Sequence, residues 1–197
     1  MSKLRLFVIR YGETASSRER RFAGSRDVPL TPAGLRQCEA VAQALAEQPV
    51  RAVYASPLER ARTSAEVIAK PHRLEVRVDP AFREMAFGAW EGLAREEVAA
   101  RFPDAYAQWR TAPHTLALPG GERLGAVAER APHAQTLVLV SHAIVARVIV
   151  LDALGLGLDR LWAVDASPAG ITGVELEPGW ATVHRLNTLA HLAAAGP

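Results

Sequence analysis

Four residues in this chain have the type and setting for anion chemistry: Arg10, Arg60, Glu84 and His142. Arg10 directly follows the apolar run Leu6–Ile9 and precedes Tyr11 and Gly12. A guanidinium at the carboxyl end of a core strand, next to glycine, is how α/β folds present an anion site. Arg60 stands in Ser56-Pro57-Leu58-Glu59-Arg60-Ala61-Arg62-Thr63, Glu84 lies in the polar, aromatic stretch Phe82–Leu93, and Ser141-His142 follows the apolar run Thr136–Val140. Cations around one anion, a nucleophile and a proton donor are what phosphoryl chemistry needs. Phe87 and Trp90 lie close to Glu84 in sequence, and partial burial beside them would raise its pKa into the range of a general acid. Two alternatives stay open at this stage. Glu84 could cap a turn or pair with Arg83, and Arg62 could exchange roles with Arg60.

The elements that must position these residues can be read from periodicity. Leu4–Ile9 lacks strict alternation, as a strand buried on both faces does. Gly12–Pro29 has no sustained period and reads as a long loop, a feature that in compact domains usually has a job. Thr31-Pro32 starts a helix, with threonine as N-cap and proline at the first helical position. Its apolar face is Leu35, Cys38, Val41, Ala42 and Leu45. Val50–Tyr54 is a short strand, Leu58–Ala69 a helix ended by Pro71, and Leu74–Val78 an alternating edge strand. Two short helices are expected at Arg95–Arg101 and Asp104–Arg110, and Pro119-Gly120-Gly121-Glu122 is a turn into a helix reaching about Arg130. Ala143–Leu154 is a helix stopped by Gly155 and Gly157, and Ile171–Leu176 with Thr182–Leu186 form a closing hairpin around Pro178-Gly179. Strands alternating with helices argue a mostly parallel sheet covered on both faces, a three-layer α/β/α arrangement.

Composition narrows the classes. A chain of 197 residues with 49% hydrophobic and 22% charged residues is ordinary for a soluble globular protein, and residues 1–197 are expected to form one domain. A formal charge of +2 with no broad basic face argues against nucleic acid. Cys38 is the only cysteine, so no internal disulfide forms. No apolar run reaches the roughly 20 residues a membrane span needs, and the chain reads as cytoplasmic.

Arg10-Tyr11-Gly12-Glu13-Thr14 resembles Arg-His-Gly-Glu-Ser/Thr, the opening motif of the histidine phosphatase superfamily, which includes the cofactor-dependent phosphoglycerate mutases and the fructose-2,6-bisphosphatase domain. Ser56–Thr63, Phe82–Gly92, Pro119–Glu122, Ser141-His142 and Leu186–Leu192 resemble further family motifs in the same order, over nearly the whole chain. The resemblance implies a phosphoglycerate mutase-like fold. It puts Tyr11 at the position of the phosphoryl-accepting histidine, Glu84 at the general acid and His142 at the second histidine. Arg10, Arg60, Gly12, Ser17 and Ala143 fall at the phosphate, with Ser17 where many relatives carry asparagine. Glu91-Gly92 resembles the phosphatase branch more than the mutases, and Glu122–Gln135 is shorter than the usual helix and loop.

Tyr11 is the main departure. Imidazole accepts phosphate on nitrogen near its working pKa, whereas a phenol titrates near about 10 and is longer. The expectation is therefore a phosphatase-type protein that hydrolyses weakly, or mainly binds, a small phosphorylated metabolite. The alternative is a catalytically silent phosphate-ligand sensor or scaffold, and a phosphoglycerate mutase is the least favoured reading. A natural loss of the nucleophile and a deliberate replacement both stand open, as does a phosphotyrosyl route or His114 as a substitute nucleophile. No cofactor and no metal are implied. The expected partner is a small phosphorylated substrate or inorganic phosphate, with neither nucleic acid nor membrane, and a homodimer is left open.

Overall fold

The computed structural model describes residues 4–130, 137–177 and 179–193. In chain order its elements are β1 (Leu4–Arg10), α1 (Ala15–Arg18), α2 (Pro32–Leu45), β2 (Ala52–Ala55), α3 (Glu59–Ala69), β3 (Val76–Val78), α4 (Arg95–Arg101), α5 (Pro103–Thr111), α6 (Leu124–Arg130), β4 (Leu137–Ser141), α7 (Ala143–Ala153), β5 (Ile171–Glu177), β6 (Trp180–Thr188) and α8 (Ala190–Ala193).

The strands form one sheet in the order β3-β2-β4-β1-β5-β6. The β3–β2, β2–β4 and β4–β1 pairs are parallel, while β5 and β6 run antiparallel at one side. Alternate residues of β1 face opposite layers. Phe7 and Ile9 pack with Val41 and Leu45 of α2 and Ala61, Ala65 and Ile68 of α3. Leu6 and Val8 pack on the other face with Leu137 and Leu139 of β4 and Ala146 of α7. A further apolar cluster joins Trp90, Trp109, Leu124 and Leu161 to Val145, Val148 and Leu151 of α7. The helices on both faces and the mostly parallel sheet are the phosphoglycerate mutase-like α/β fold. Among the described residues no helix is long and apolar enough to cross a membrane.

Register decides which residues leave the sheet together. Arg10 of β1 is level with Ser141 of β4, and Ala55 of β2 is level with Val140. The Tyr11 amide donates to the Ser141 carbonyl at 3.0 Å, and the Ser56 amide donates to the Val140 carbonyl at 3.2 Å. Tyr11, His142 and Ser56 thus emerge side by side at the carboxyl ends of three neighbouring strands.

The turn after β1 is closed by contact between two glycines. A Cβ on Gly12 would overlap the Gly34 carbonyl and the Cys38 sulfur, and one on Gly34 would overlap the Glu13 backbone. Thr31 caps α2 as expected, its Oγ1 accepting from the Gly34 amide at 3.0 Å.

Several boundaries differ from the sequence reading. The loop Gly12–Pro29 contains the one-turn helix α1, capped by a Thr14–Ser17 box. Leu35, assigned to the buried face of α2, is 39% exposed, because Gly34 rather than a side chain meets the β1 turn. Pairing of the third strand is confined to Val76–Val78, level with Val53–Ala55 of β2. Thr136, Pro178 and the segment 131–136 lie outside the described residues.

Candidate active site

The β1 and β4 ends, the Ser17–Gly24 loop and the Trp109–Trp162 layer enclose a cavity of about 210 Å³. Arg10, Tyr11, Ser17, Glu84 and Ala143 line it. Arg60 and His142 lie beneath, each 0% exposed, covered by the Tyr11 ring, which is itself 4% exposed. The Arg10 and Arg60 guanidinium carbons stand 5.3 and 4.9 Å from the Tyr11 ring centroid. His142 meets the same ring edge-on at 5.2 Å.

Arg60 is a cation held by dipoles. Its Nη1 donates to the Arg26 carbonyl at 2.7 Å and its Nη2 to the Gly24 carbonyl at 2.8 Å. Its Nε has no hydrogen-bond partner among the described residues, and neither does the Nε of Arg10. Burying a guanidinium without a countercharge is costly, and an anion would offset that cost. Arg10 is anchored by Nη1 donating to the Ala166 carbonyl at 2.8 Å. Arg62 is elsewhere: it points out from α3 and pairs with Glu66 at 3.6 Å. Of the two arginines, Arg60 is the one packed at the Tyr11 ring.

Glu84 is buried, and its Oε1 accepts from the Met85 amide at 3.0 Å. It forms no ion pair with Arg83 among the described residues. Burial pushes its carboxyl above the usual carboxylate range, against the Met85 amide, the guanidiniums of Arg60 and Arg10, and the Ile144 amide. The Ser141 hydroxyl donates to the Phe82 carbonyl at 2.7 Å, tying the segment that carries Glu84 to the end of β4. A carboxyl whose pKa is raised by burial is suited to donate a proton as a general acid.

His142 is the N-cap residue of α7, and its Nε2 lies 2.8 Å from the Ser56 hydroxyl. Ala143 and Ile144, at the start of the 11-residue α7, line the cavity, so the positive end of that helix faces it. The Ser17 hydroxyl donates to the Thr14 carbonyl at 3.0 Å and accepts from the Thr14 amide at 2.9 Å, so it serves the α1 cap as well as the cavity wall.

Two expected residues are not at the cavity. The Gly12 amide donates to the Ser64 hydroxyl at 3.1 Å, and Gly12 faces α2 and α3, because the turn after β1 packs inward. His114 is exposed on a 3-10 turn, Pro113–Thr115, outside the cavity lining. Among the described residues there is no cluster of three His, Cys, Asp or Glu side chains that could hold a metal.

Sequence reasoning missed several residues here. Glu91 accepts from the Ser25 amide and hydroxyl at 2.9 Å each and from the Phe87 amide at 3.0 Å. It clamps the loop whose Gly24 and Arg26 carbonyls hold Arg60. Arg147 enters the cavity one helical turn after Ala143, and that i, i+4 spacing was the available signal. Asp165 pairs with Arg147 at 3.2 Å and gave no signal, since nothing local marks its loop.

This geometry agrees with comparisons of sequence and fold. Residues 6–189 match the model of the histidine phosphatase superfamily, branch 1. The chain belongs to this superfamily. It is 29% identical over 199 residues to phosphoserine phosphatase 1 of Hydrogenobacter thermophilus, covering 96% of this chain and 94% of that one. It is 26% identical to the adenosylcobalamin/alpha-ribazole phosphatase of Salmonella typhimurium, over 95% and 98% of the two chains. Among solved structures it is similar to Bacillus stearothermophilus YhfR, with a TM-score of 0.88, 28% identity and coverage of 95% and 98%. A mycobacterial glucosyl-3-phosphoglycerate phosphatase gives a TM-score of 0.86 at 26% identity, over 95% and 100%.

Proposed function

We propose that this chain is a single-domain phosphatase-type protein for a small phosphorylated metabolite, with Tyr11 at the nucleophile position and the phosphohistidine route silenced. The observation that carries the reading is the Tyr11 ring, packed on Arg10, Arg60 and His142 at the cavity that Glu84 also lines. The superfamily match over residues 6–189 supports one domain. Three of the relatives named above are phosphatases by name: a phosphoserine phosphatase, an adenosylcobalamin/alpha-ribazole phosphatase and a glucosyl-3-phosphoglycerate phosphatase.

With histidine restored at position 11, the chemistry follows from the groups present. An imidazole nitrogen attacks phosphorus, and the bond from phosphorus to the ester oxygen breaks. Glu84 gives its proton to the departing alkoxide. Arg10, Arg60, His142 and the α7 amides hold the equatorial oxygens. Water then attacks the phosphohistidine, Glu84 recovers a proton from it, and phosphate leaves. Nothing in this sequence requires a metal.

The test is release of phosphate from p-nitrophenyl phosphate and a panel of sugar phosphates, comparing the chain with Tyr11→His. Loss of a nucleophile costs about three to six decades in rate, so activity is expected in the histidine variant alone. Equal and robust activity in both proteins would sink the silencing idea.

A second reading, a phosphate-ligand sensor, is favoured by tyrosine at the nucleophile position beside the retained cations Arg10 and Arg60. It predicts binding without turnover in both proteins.

A further inference from the structure

A second cavity, of about 430 Å³, lies between the sheet and α7 and shares no described lining residue with the first. Leu6 of β1 and Leu137 and Leu139 of β4 line it from the sheet, and Val148 and Ile149 line it from α7. The same leucines pack on Ala146 of α7. The neighbouring helix α6 is only seven residues long, however, and among the described residues it gives the wall Ala128 alone. The layer over this face of the sheet is therefore incomplete. Native interiors are close-packed and hold few voids larger than a water molecule, so an apolar space of this size forfeits dispersion contacts that an occupant would restore. Its volume falls within the roughly 300–1,000 Å³ of small-molecule sites.

The charged groups of this cavity are few and of one sign. Among its described lining residues Asp79 and Asp152 are acidic, and none is arginine, lysine or histidine. The phosphate cavity, by contrast, is lined by arginines. Asp79 spends Oδ1 on the Ala81 amide at 2.8 Å. Asp152 stands in the last turn of α7, where the negative end of the helix dipole adds to its charge, and it has no ion-pair partner among the described residues. Arg77 donates to the hydroxyl of Tyr54, a lining residue, at 3.1 Å but is not itself part of the wall. Leu156 lines the cavity yet is 43% exposed, which marks the open side.

We infer that the space between α7 and the sheet is a second ligand site, for a small apolar molecule that carries one cationic group. The leucine, isoleucine and valine side chains take the hydrocarbon part, since apolar cavities shed water and accept apolar molecules. Asp79 and Asp152 select the sign of the polar end. The site stands apart from the phosphate cavity, and its occupancy does not depend on the chemistry at position 11.

The test is calorimetric titration of the full chain with two probes of matched length, octylamine and octanol. Both are expected to bind saturably, the amine about fivefold tighter at low salt, with the gap closing as salt screens the carboxylates. In Asp79→Asn/Asp152→Asn the ratio is expected to fall toward one while octanol binding stays, asparagine keeping the cap on the Ala81 amide. Ala153→Phe fills the cavity from the end of α7 and is expected to abolish binding of both probes. If its melting temperature shows that it does not fold, Ala128→Phe fills the space from α6 instead. Absence of saturable binding by either probe, or equal affinity for the two, would overturn the inference. So would an amine preference that survives the aspartate substitutions, or parent-like binding by a folded cavity-filled variant.

Discussion

The phenol ring of Tyr11 stands edge-on to the imidazole of His142, with centroids 5.2 Å apart and planes at 63°. Both rings arise from residues directly following β1 and β4, whose register sets Arg10 level with Ser141. The Tyr11 ring therefore fills the space above His142 and Arg60. The cation–π contacts of Arg10 and Arg60 substitute, weakly, for the charge pairing an anion would provide.

Removing the ring should uncover the pocket. Tyr11→Ala is expected to lower stability by about 3–5 kcal/mol, the cost of truncating a buried aromatic. Inorganic phosphate should nonetheless bind more tightly to it than to the parent. Urea unfolding and phosphate titration check the two halves. A stability loss with no gain in affinity would show that something other than the ring keeps phosphate out.

Burial raises the Glu84 carboxyl in the folded state, and the sign of its effect on stability follows. The folded protein holds this proton more tightly than the unfolded chain does. That stabilisation is complete below the ordinary glutamate value and is lost as pH rises through the elevated folded one. Glu84→Gln, which has no such proton to lose, should melt progressively higher than the parent as pH increases. In the Tyr11→His background it should also slow turnover by about 10²–10⁴-fold. Melting curves that keep a constant separation at every pH would contradict the first expectation.

Asn187 adopts a positive φ of 47° and ties down the loop behind Arg10. Its Oδ1 accepts from the Ser167 amide at 2.8 Å, and its Nδ2 donates to Asp165 at 3.1 Å. Asn187→Ala should cost about 1–3 kcal/mol through the lost bonds, with backbone strain added. Asn187→Gly should recover only the backbone part. Chemical denaturation of the two variants tests the order, and an alanine variant as stable as glycine would rule out the strain contribution.

Gly12→Ala should be among the most damaging small substitutions in the chain. The added Cβ meets the Gly34 carbonyl, which is backbone and cannot rotate away, so the loss is expected to reach at least about 1–3 kcal/mol. Cys38→Ala should not rescue it, although it removes the second obstructing atom. Thermal melts of the single and double variants decide this.

Some of the architecture was legible from residue order because the physics is local. The apolar runs ending at Ile9 and Val140 announced strands buried on both faces, since such strands need apolar residues at successive positions. Thr31-Pro32 announced a helix start, since cap and first-turn preferences involve only adjacent backbone groups. The antiparallel hairpin at the end of the chain was likewise visible from its two strand runs around Pro178-Gly179.

Other features have no local signature. Arg60 and Arg62 are near-neighbours with the same chemistry, and only the packing of α3 sent one to the Gly24 and Arg26 carbonyls and the other to Glu66. The exposure of Leu35 depended on a glycine contact from another segment. The meeting of Arg110 and Arg147 on Trp162 joins three distant segments.

The sequence by itself determined the strand order along the chain, the longer helices, the family motifs, and the presence of tyrosine at position 11, because residue type and short-range periodicity encode these. Tertiary structure alone decided that Tyr11 covers Arg60 and His142, that burial raises the Glu84 carboxyl, and that Arg110 and Arg147 meet at one indole. Those properties depend on distance and desolvation between segments remote in the chain, and neither quantity is written in residue order.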